Sequence, residues 1–330
     1  MTVTVFDTID VMTSYQHAAT LTAGARCGVF DALAGRSLTW SETAEELGTD
    51  PSATRALLDA LVGLGLLELD AGERYRAGPV AARLGAGGDL RLIVEKEAFL
   101  ARQWLDLAAS VRSGRPQMAP WRERLSDDPD QVREFLAALV VLAHETGPDL
   151  AHLLDVGPDT TVADLGGGLG AYAVPLAAAG AHVTLVDLPP VIDWARDELT
   201  RQDPATVGRI RLCAADLLDE LAVDLIGAGH DLVVLSHLVH DLDDVDAAAV
   251  LDLARRLTRP GGSVVVFELP GDPPGAFGPL FDLMMRIETP GAARRVDELV
   301  ELLAAAGLAE IAEVPGTARP HVVLRGRVPD

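Results

Sequence analysis

Asp164-Leu165-Gly166-Gly167-Gly168-Leu169-Gly170-Ala171, entered from the apolar run Thr161-Val162-Ala163, decides how the second half of the chain is read. A short strand running into clustered glycines is where a backbone turns tightly and lets a ligand approach it closely. Gly166-x-Gly168-x-x-Ala171 also passes as a dinucleotide fingerprint. Asp164, two positions before the first glycine, separates the two readings. A dinucleotide sets a dianionic pyrophosphate at the next helix N-terminus, where a carboxylate repels it. S-adenosylmethionine has no phosphate and carries a sulfonium and an ammonium, which a nearby carboxylate favours. Asp164, Gly166 and Gly168 are therefore expected at an S-adenosylmethionine site.

Working outward, short apolar runs alternate with helical stretches from about residue 158. Strands are expected at Thr161–Leu165, His182–Val186, Ile210–Ala214, Leu232–Leu235, Ser263–Phe267, Ala309–Val314 and His321–Leu324. The alternation predicts a doubly wound α/β domain with a mostly parallel sheet. Ligands in such sheets bind beyond the carboxyl ends of the strands. Asp187 ends the second strand, where an acid accepts from ribose hydroxyls of either cofactor. Asp216 and Leu217 end the third, suited to an adenine amino group and ring. Strand-end acids also cap loops, so the set of three carries more weight than any one. The fourth strand ends in Ser236-His237-Leu238-Val239-His240-Asp241. A histidine there, with an ordinary pKa of about 6.5, is competent as a base. His237 is as readily a capping group. His237, His240 and Asp241 also have the chemistry of metal ligands, but the carboxylates that follow read as a helix N-terminal cluster, and no metal is expected.

The first part of the chain is helical. Apolar spacing runs through residues 10–34, Thr39 and Glu42 form a capping-box signature, and Pro51 opens a further helix. Leu66–Leu69 and Arg74–Arg76 flank a turn. Three helices and a hairpin in this order make a winged helix-turn-helix. Its literal reading is DNA binding, but residues 1–100 hold eight basic and fourteen acidic side chains, and Arg55 alone marks the recognition helix. Leu90–Val111 and Val132–Leu154 add more apolar helix than a small module buries, so a partner subunit is expected.

With 330 residues, 27 basic and 50 acidic, the chain carries a net charge of −23. That charge repels nucleic-acid backbones and anionic membranes. Cys27 and Cys213 have no metal spacing and read as free thiols of a reducing compartment, hence a cytoplasmic protein. Neither a signal peptide nor a membrane span is read.

With these blocks in place, the chain resembles the S-adenosylmethionine-dependent small-molecule O-methyltransferases of the plant caffeic-acid and bacterial antibiotic-tailoring type. The likeness runs through Gly28–Leu33, the glycine block, Val186-Asp-Leu-Pro189, Ala215-Asp-Leu217, Leu238-Val-His-Asp241, Arg259-Pro-Gly-Gly262 and Ala306-Gly-Leu308. It implies a winged-helix dimerisation domain over residues 1–90 and a homodimer. It implies a helical linker over 91–155 contributing to the substrate pocket, and a Rossmann-like methyltransferase domain over 156–330. His240 matches the family's general base and Glu268 the carboxylate that orients it. Glu298 falls where a second glutamate stands, after a block degraded here to Pro290-Gly-Ala-Ala-Arg-Arg295. Leu188 joins the cofactor residues, and Ser236 stands where the family often has a cofactor-binding lysine. Leu242 replaces a tryptophan. The acceptor pocket is expected from Trp104, His144, His237, Asp241, Phe281, Met284 and Met285, although helical Met and Phe serve a core equally well. The expected function is methyl transfer to a hydroxyl of a small secondary metabolite. Relatives that use the cleft for hydroxylation, decarboxylation or cyclisation keep a non-methylating reaction as the alternative, and a ligand-sensing DNA-binding regulator is more remote.

Overall fold

Local signals set most element boundaries. The computed structural model describes residues 3–147, 149–272 and 275–330, which divide into one unit up to Arg102 and another from Gln103. The first unit holds α1 (Val5–Thr13), α2 (Tyr15–Arg26), α3 (Val29–Ala32), β1 (Ser37–Thr39), α4 (Trp40–Leu47), α5 (Pro51–Gly63), β2 (Leu67–Leu69), β3 (Arg74–Ala77), α6 (Pro79–Ala82) and most of α7 (Leu90–Trp104). The Thr39 hydroxyl accepts from the Glu42 amide while the Glu42 carboxylate accepts from the Thr39 amide, so the capping box starts α4 where the sequence places it. Asp50 caps α5, with Pro51 at its first position. The continuous helical spacing of residues 10–34 is broken at Ser14 and at Gly28, whose φ of 81° no helix accommodates. One strand was not visible in the sequence: β1 pairs with β3 and widens the hairpin to three strands. Phe30, Leu33, Leu58, Leu61 and Tyr75 form the core of this unit.

The second unit continues with α8 (Leu107–Ser113), α9 (Trp121–Asp127), α10 (Pro129–Thr146), α11 (Leu150–Leu153), β4 (Thr161–Leu165), α12 (Ala173–Ala178), β5 (His182–Asp187), α13 (Pro189–Leu199), α14 (Pro204–Val207), β6 (Ile210–Ala214) and α15 (Ala222–Ile226). It ends with β7 (His230–Ser236), a 3₁₀ turn (Val239–Asp241), α16 (Asp244–Leu257), β8 (Thr258–Glu268), α17 (Phe277–Glu288), α18 (Val296–Ala305), β9 (Ala309–Glu313) and β10 (Val322–Arg327). All seven expected strands form, in the order β6-β5-β4-β7-β8-β10-β9. The first five are parallel, while β10 and β9 are antiparallel. Parallel strands are covered on both faces and read as continuous apolar runs. Val162, Leu165, Val183, Leu185, Val234 and Val265 are all buried, with a core cluster on each face of the sheet. The order reverses direction between β4 and β7, which opens a crevice at their carboxyl ends. The helical stretch 91–155 is shared: α7 belongs mostly to the first unit, and α8 to α11 belong to the second. No described helix is long and apolar enough to cross a membrane.

Candidate active site

The crevice between β4 and β7 gathers the polar groups singled out in the sequence. Asp164 is the penultimate residue of β4, 1% exposed, with both carboxylate oxygens buried and without a hydrogen-bond partner among the described residues. Burial, then the Asp187 carboxylate, pushes Asp164 up to about 7, and the Ala173 amide offsets only part of this. Burial also raises Asp187, to about 6, although the Gly168 amide at 2.8 Å and the Leu188 amide at 2.7 Å hold it down. Gly168 donates from a φ of 57°, and a Cβ on Gly167 would lie 2.7 Å from an Asp164 oxygen. Side chains on this loop would close the cleft. Ser236 ends β7 with its hydroxyl buried and without a partner among the described residues, and Leu238 packs over Gly166.

These observations test the cofactor. A buried and a half-buried carboxylate, a hydroxyl without a partner among the described residues and a bare glycine loop suit a positively charged ligand. A phosphorylated one would meet like charge. The residues present fit S-adenosylmethionine.

On the other side of the crevice, Glu268 ends β8 and organises the turn that carries the base. Its Oε1 accepts the amides of Val239 (2.8 Å) and His240 (3.2 Å), and its Oε2 lies 2.5 Å from His240 Nδ1. Burial alone would lower the His240 imidazole; the charge and hydrogen bond of Glu268, joined by the Asp241 and Glu288 carboxylates, together overcome it and lift the group to about 9. Asp241 Oδ1 lies 3.8 Å from His240 Nε2, and Phe281 stands edge-on to the imidazole at 5.2 Å. Arg294 locks the same turn from behind by donating to the carbonyls of Val239 and Leu242.

The remaining expected residues scatter. His237, at φ 53°, packs on Phe267, 4.3 Å between rings, and burial pushes it down to about 3. It is neutral beside His240 rather than a second cation. His237, His240 and Glu268 bring one donor atom each within 4.8 Å of one another, but both Glu268 oxygens are already hydrogen-bonded. Asp216 is held by Arg122 at 2.6 Å, and Leu217 and Leu188 pack at core edges. Met285 is buried beside Phe281 and Met284. Glu298 departs from expectation. It is exposed, and its carboxylate turns back to the Arg295 amide as the third residue of α18. Arg294, not Glu298, is the residue of this segment that reaches the turn carrying the base. His144 is also exposed, in the last turn of α10, and Trp104 ends α7 without a ring contact or hydrogen bond to the His240 cluster among the described residues.

Three contributors went unread. Tyr172, one residue past the glycine block, has a buried hydroxyl, and burial and Asp164 raise its pKa. Trp121 donates to Asp241 Oδ2 at 3.1 Å, and Arg124 lies over the Trp121 ring at 3.7 Å. Trp121 and Arg124 are remote from every motif in sequence, so spacing gives no signal for them.

Known proteins resemble the chain over nearly its whole length. Residues 104–309 match the model of the O-methyltransferase domain, and residues 9–86 match that of the O-methyltransferase dimerisation domain. The chain is 30% identical over 320 residues to 3-hydroxy-5-methyl-1-naphthoate 3-O-methyltransferase of Streptomyces sahachiroi, covering 92% of this chain and 90% of that one. Its fold is similar to an O-methyltransferase family protein from Burkholderia thailandensis, with TM-score 0.85 and 25% identity over 100% of this chain and 99% of the other. It is also similar to human N-acetylserotonin methyltransferase in complex with SAM, with TM-score 0.85 and 24% identity over 97% and 96% of the two chains.

Proposed function

The chain belongs to the O-methyltransferase family and is an S-adenosylmethionine-dependent O-methyltransferase acting on a small molecule; on that premise we propose the part each residue plays. Asp164 and Asp187 hold the positive and hydroxyl groups of the cofactor, with Gly166, Gly168, Leu188, Leu217, Ser236 and Tyr172 shaping its bed. Asp216 joins them once Arg122 yields its carboxylate. S-adenosylmethionine, when bound, supplies a methyl group made electrophilic by the sulfonium. The chain's own work is to orient the acceptor and to take its proton.

One observation supports the assignment of the base: the 2.5 Å contact between His240 Nδ1 and Glu268 Oε2. Nδ1–H donates to Glu268, which fixes the tautomer and leaves Nε2 for the acceptor hydroxyl. The proton moves to Nε2 as the oxygen attacks, and the Glu268 carboxylate stabilises the resulting imidazolium, as a carboxylate does in a catalytic triad. Proximity supplies most of the acceleration, and base assistance adds about 10²–10⁴-fold. Phe281, Met284, Met285 and Asp241 border the acceptor beside the base, with His237 behind it. The acceptor is a hydroxyl-bearing secondary metabolite, and methyl transfer is favoured over a non-methylating reaction in the same cleft. His240→Ala is expected to abolish release of S-adenosylhomocysteine while calorimetric binding of S-adenosylmethionine stays within about twofold. Undiminished turnover in that variant would remove His240 from the role.

The first unit, matched by the dimerisation model, pairs two copies. The pairing face includes the apolar side of α1 and α2. Two free cysteines accord with a cytoplasmic setting.

A further inference from the structure

Resting on methyl transfer at this site, we propose that Arg124 recognises a carboxylate carried by the acceptor, so that the substrate class is hydroxy acids rather than neutral hydroxyl compounds. Arg124 Nε and Nη2 are buried and make no hydrogen bond among the described residues. These two nitrogens form one edge of the guanidinium, a fork whose parallel N–H groups match the two oxygens of a carboxylate. The same chain uses that edge on carboxylates elsewhere. Arg26 turns Nε and Nη2 to Glu95, Arg83 to Asp89, and Arg76 to Glu68. In Arg124 the edge is buried and without such a partner.

Its place is beside the base. The Arg124 guanidinium stacks on Trp121, and the Trp121 indole N–H donates to Asp241, the residue after His240. The Gln117 and Met118 amides both donate to the Ile287 carbonyl, which pins the segment before α9 to the end of α17, the helix that carries Phe281. Arg124 is thus one indole ring removed from the residue next to the base. Burial works against its charge, and the Glu288 and Asp241 carboxylates nearby help to keep it on. A flat acceptor with its hydroxyl at His240 and its body along Trp121 would bring a carboxylate on its far side to the fork. The edge is sealed from bulk water, so side chains part to admit the acid, and the pairing then forms in a low-dielectric setting where it is strong. Arg122, on the same helix, is an exposed side chain beside Asp216 and lacks the buried fork that Arg124 offers.

The test uses the full chain saturated with S-adenosylhomocysteine. Hydroxybenzoic and hydroxynaphthoic acids are titrated calorimetrically beside their primary carboxamides, into the parent protein, Arg124→Gln and Arg124→Lys. Methylated product from S-adenosylmethionine is measured in parallel. The best acid is expected to bind about 10–100-fold tighter than its amide, the range of a charged hydrogen-bonded pair. Arg124→Gln should bring that ratio to about one with amide affinity unchanged. Arg124→Lys, which keeps the charge and tests folding, should retain only part of the preference, because an ammonium does not fork. Acids and amides bound alike by the parent protein, the outcome if the edge closes onto Glu288, would overturn the proposal. So would a preference that survives in Arg124→Gln, or a panel in which no acid binds. Acid binding that needs Arg124 but yields no methylated product keeps the carboxylate site and sinks methyl transfer. Methylation of amides as readily as acids does the reverse.

Discussion

At the scale of single residues, His240 and Asp164 have ionisations pulled in ways that make pH the sharpest probe. His240 is lifted to about 9 because Glu268, with Asp241 and Glu288, together overcome burial. The working base needs Nε2 free, so the competent fraction grows as pH rises. kcat/KM reports the free enzyme, and its logarithm is expected to climb with a slope of about one from pH 6.5 towards 9. Glu268→Gln removes the main counter-charge and leaves burial opposed only by Asp241 and Glu288, so the limb should move to lower pH. kcat should fall about 10²–10⁴-fold, the usual worth of base assistance. A limb that stays in place would separate Glu268 from the base. For stability the sign is opposite to activity: the raised His240 helps the fold in full below about 6.5, the model imidazole value, and loses that help through about 9. Asp164 gives the cofactor's side of the same chemistry. Its carboxyl, held up at about 7, must ionise to meet an ammonium. Affinity for S-adenosylmethionine is therefore expected to rise up to about tenfold per pH unit below 7 and to level above it. Asp164→Asn should weaken binding and flatten the profile in calorimetry, and a parent profile flat from pH 5.5 to 7.5 would count against this contact.

Among elements, the decisive one is the turn Val239–Asp241, three residues held by four outside groups. Glu268 takes its amides, Arg294 its carbonyls, Trp121 its aspartate, and Gly291 lies against its backbone. A Cβ on Gly291 would fall 2.1 Å from the His240 carbonyl oxygen and 2.8 Å from the Asp241 carbonyl carbon. Both are main-chain atoms, so Gly291→Ala must displace the turn itself. Displacements of about 1 Å in a positioned group cost on the order of 10²-fold in rate. Gly291→Ala is thus expected to lose about that much kcat with cofactor affinity intact, a loss of cofactor binding of equal size being the contrary result. The turn also marks how far the sequence could be read. His240 and Glu268 stand at the ends of two apolar runs, so strand-end logic finds them. Glu298 stands at the right distance from an arginine, but the third position of a helix draws its side chain back to the amide of Arg295. What arrives at the turn instead is Arg294, and Trp121 comes from a helix 120 residues away. Such contacts are fixed by packing, and no local periodicity records them.

For the whole molecule, the strands of the sheet and their mostly parallel arrangement were legible because buried parallel strands are unbroken apolar runs separated by helices, and the winged segment because caps and turns are local. The face that meets a second copy is not local. Helical apolar spacing from residue 10 onward reads as that of any packed helix, yet Val5, Phe6, Ile9, Val11, Met12 and Tyr15 are all exposed, Phe6 at 80% and Met12 at 69%. A contiguous apolar patch of this kind on a chain matched by a dimerisation model calls for burial against its twin. The net charge of −23 opposes that union, because each copy repels the other. Apolar burial must therefore exceed a long-range repulsion that salt screens within about 8–10 Å. Two outcomes follow. Raising salt from about 0.05 to 0.5 M should tighten the dimer, where an interface held by ion pairs would loosen. Phe6→Glu with Met12→Glu, which adds charge where apolar area is needed, should give the mass of a single chain by light scattering at micromolar concentration, with the first unit still folded by circular dichroism. A double variant that keeps the mass of two chains would move the interface away from α1 and α2.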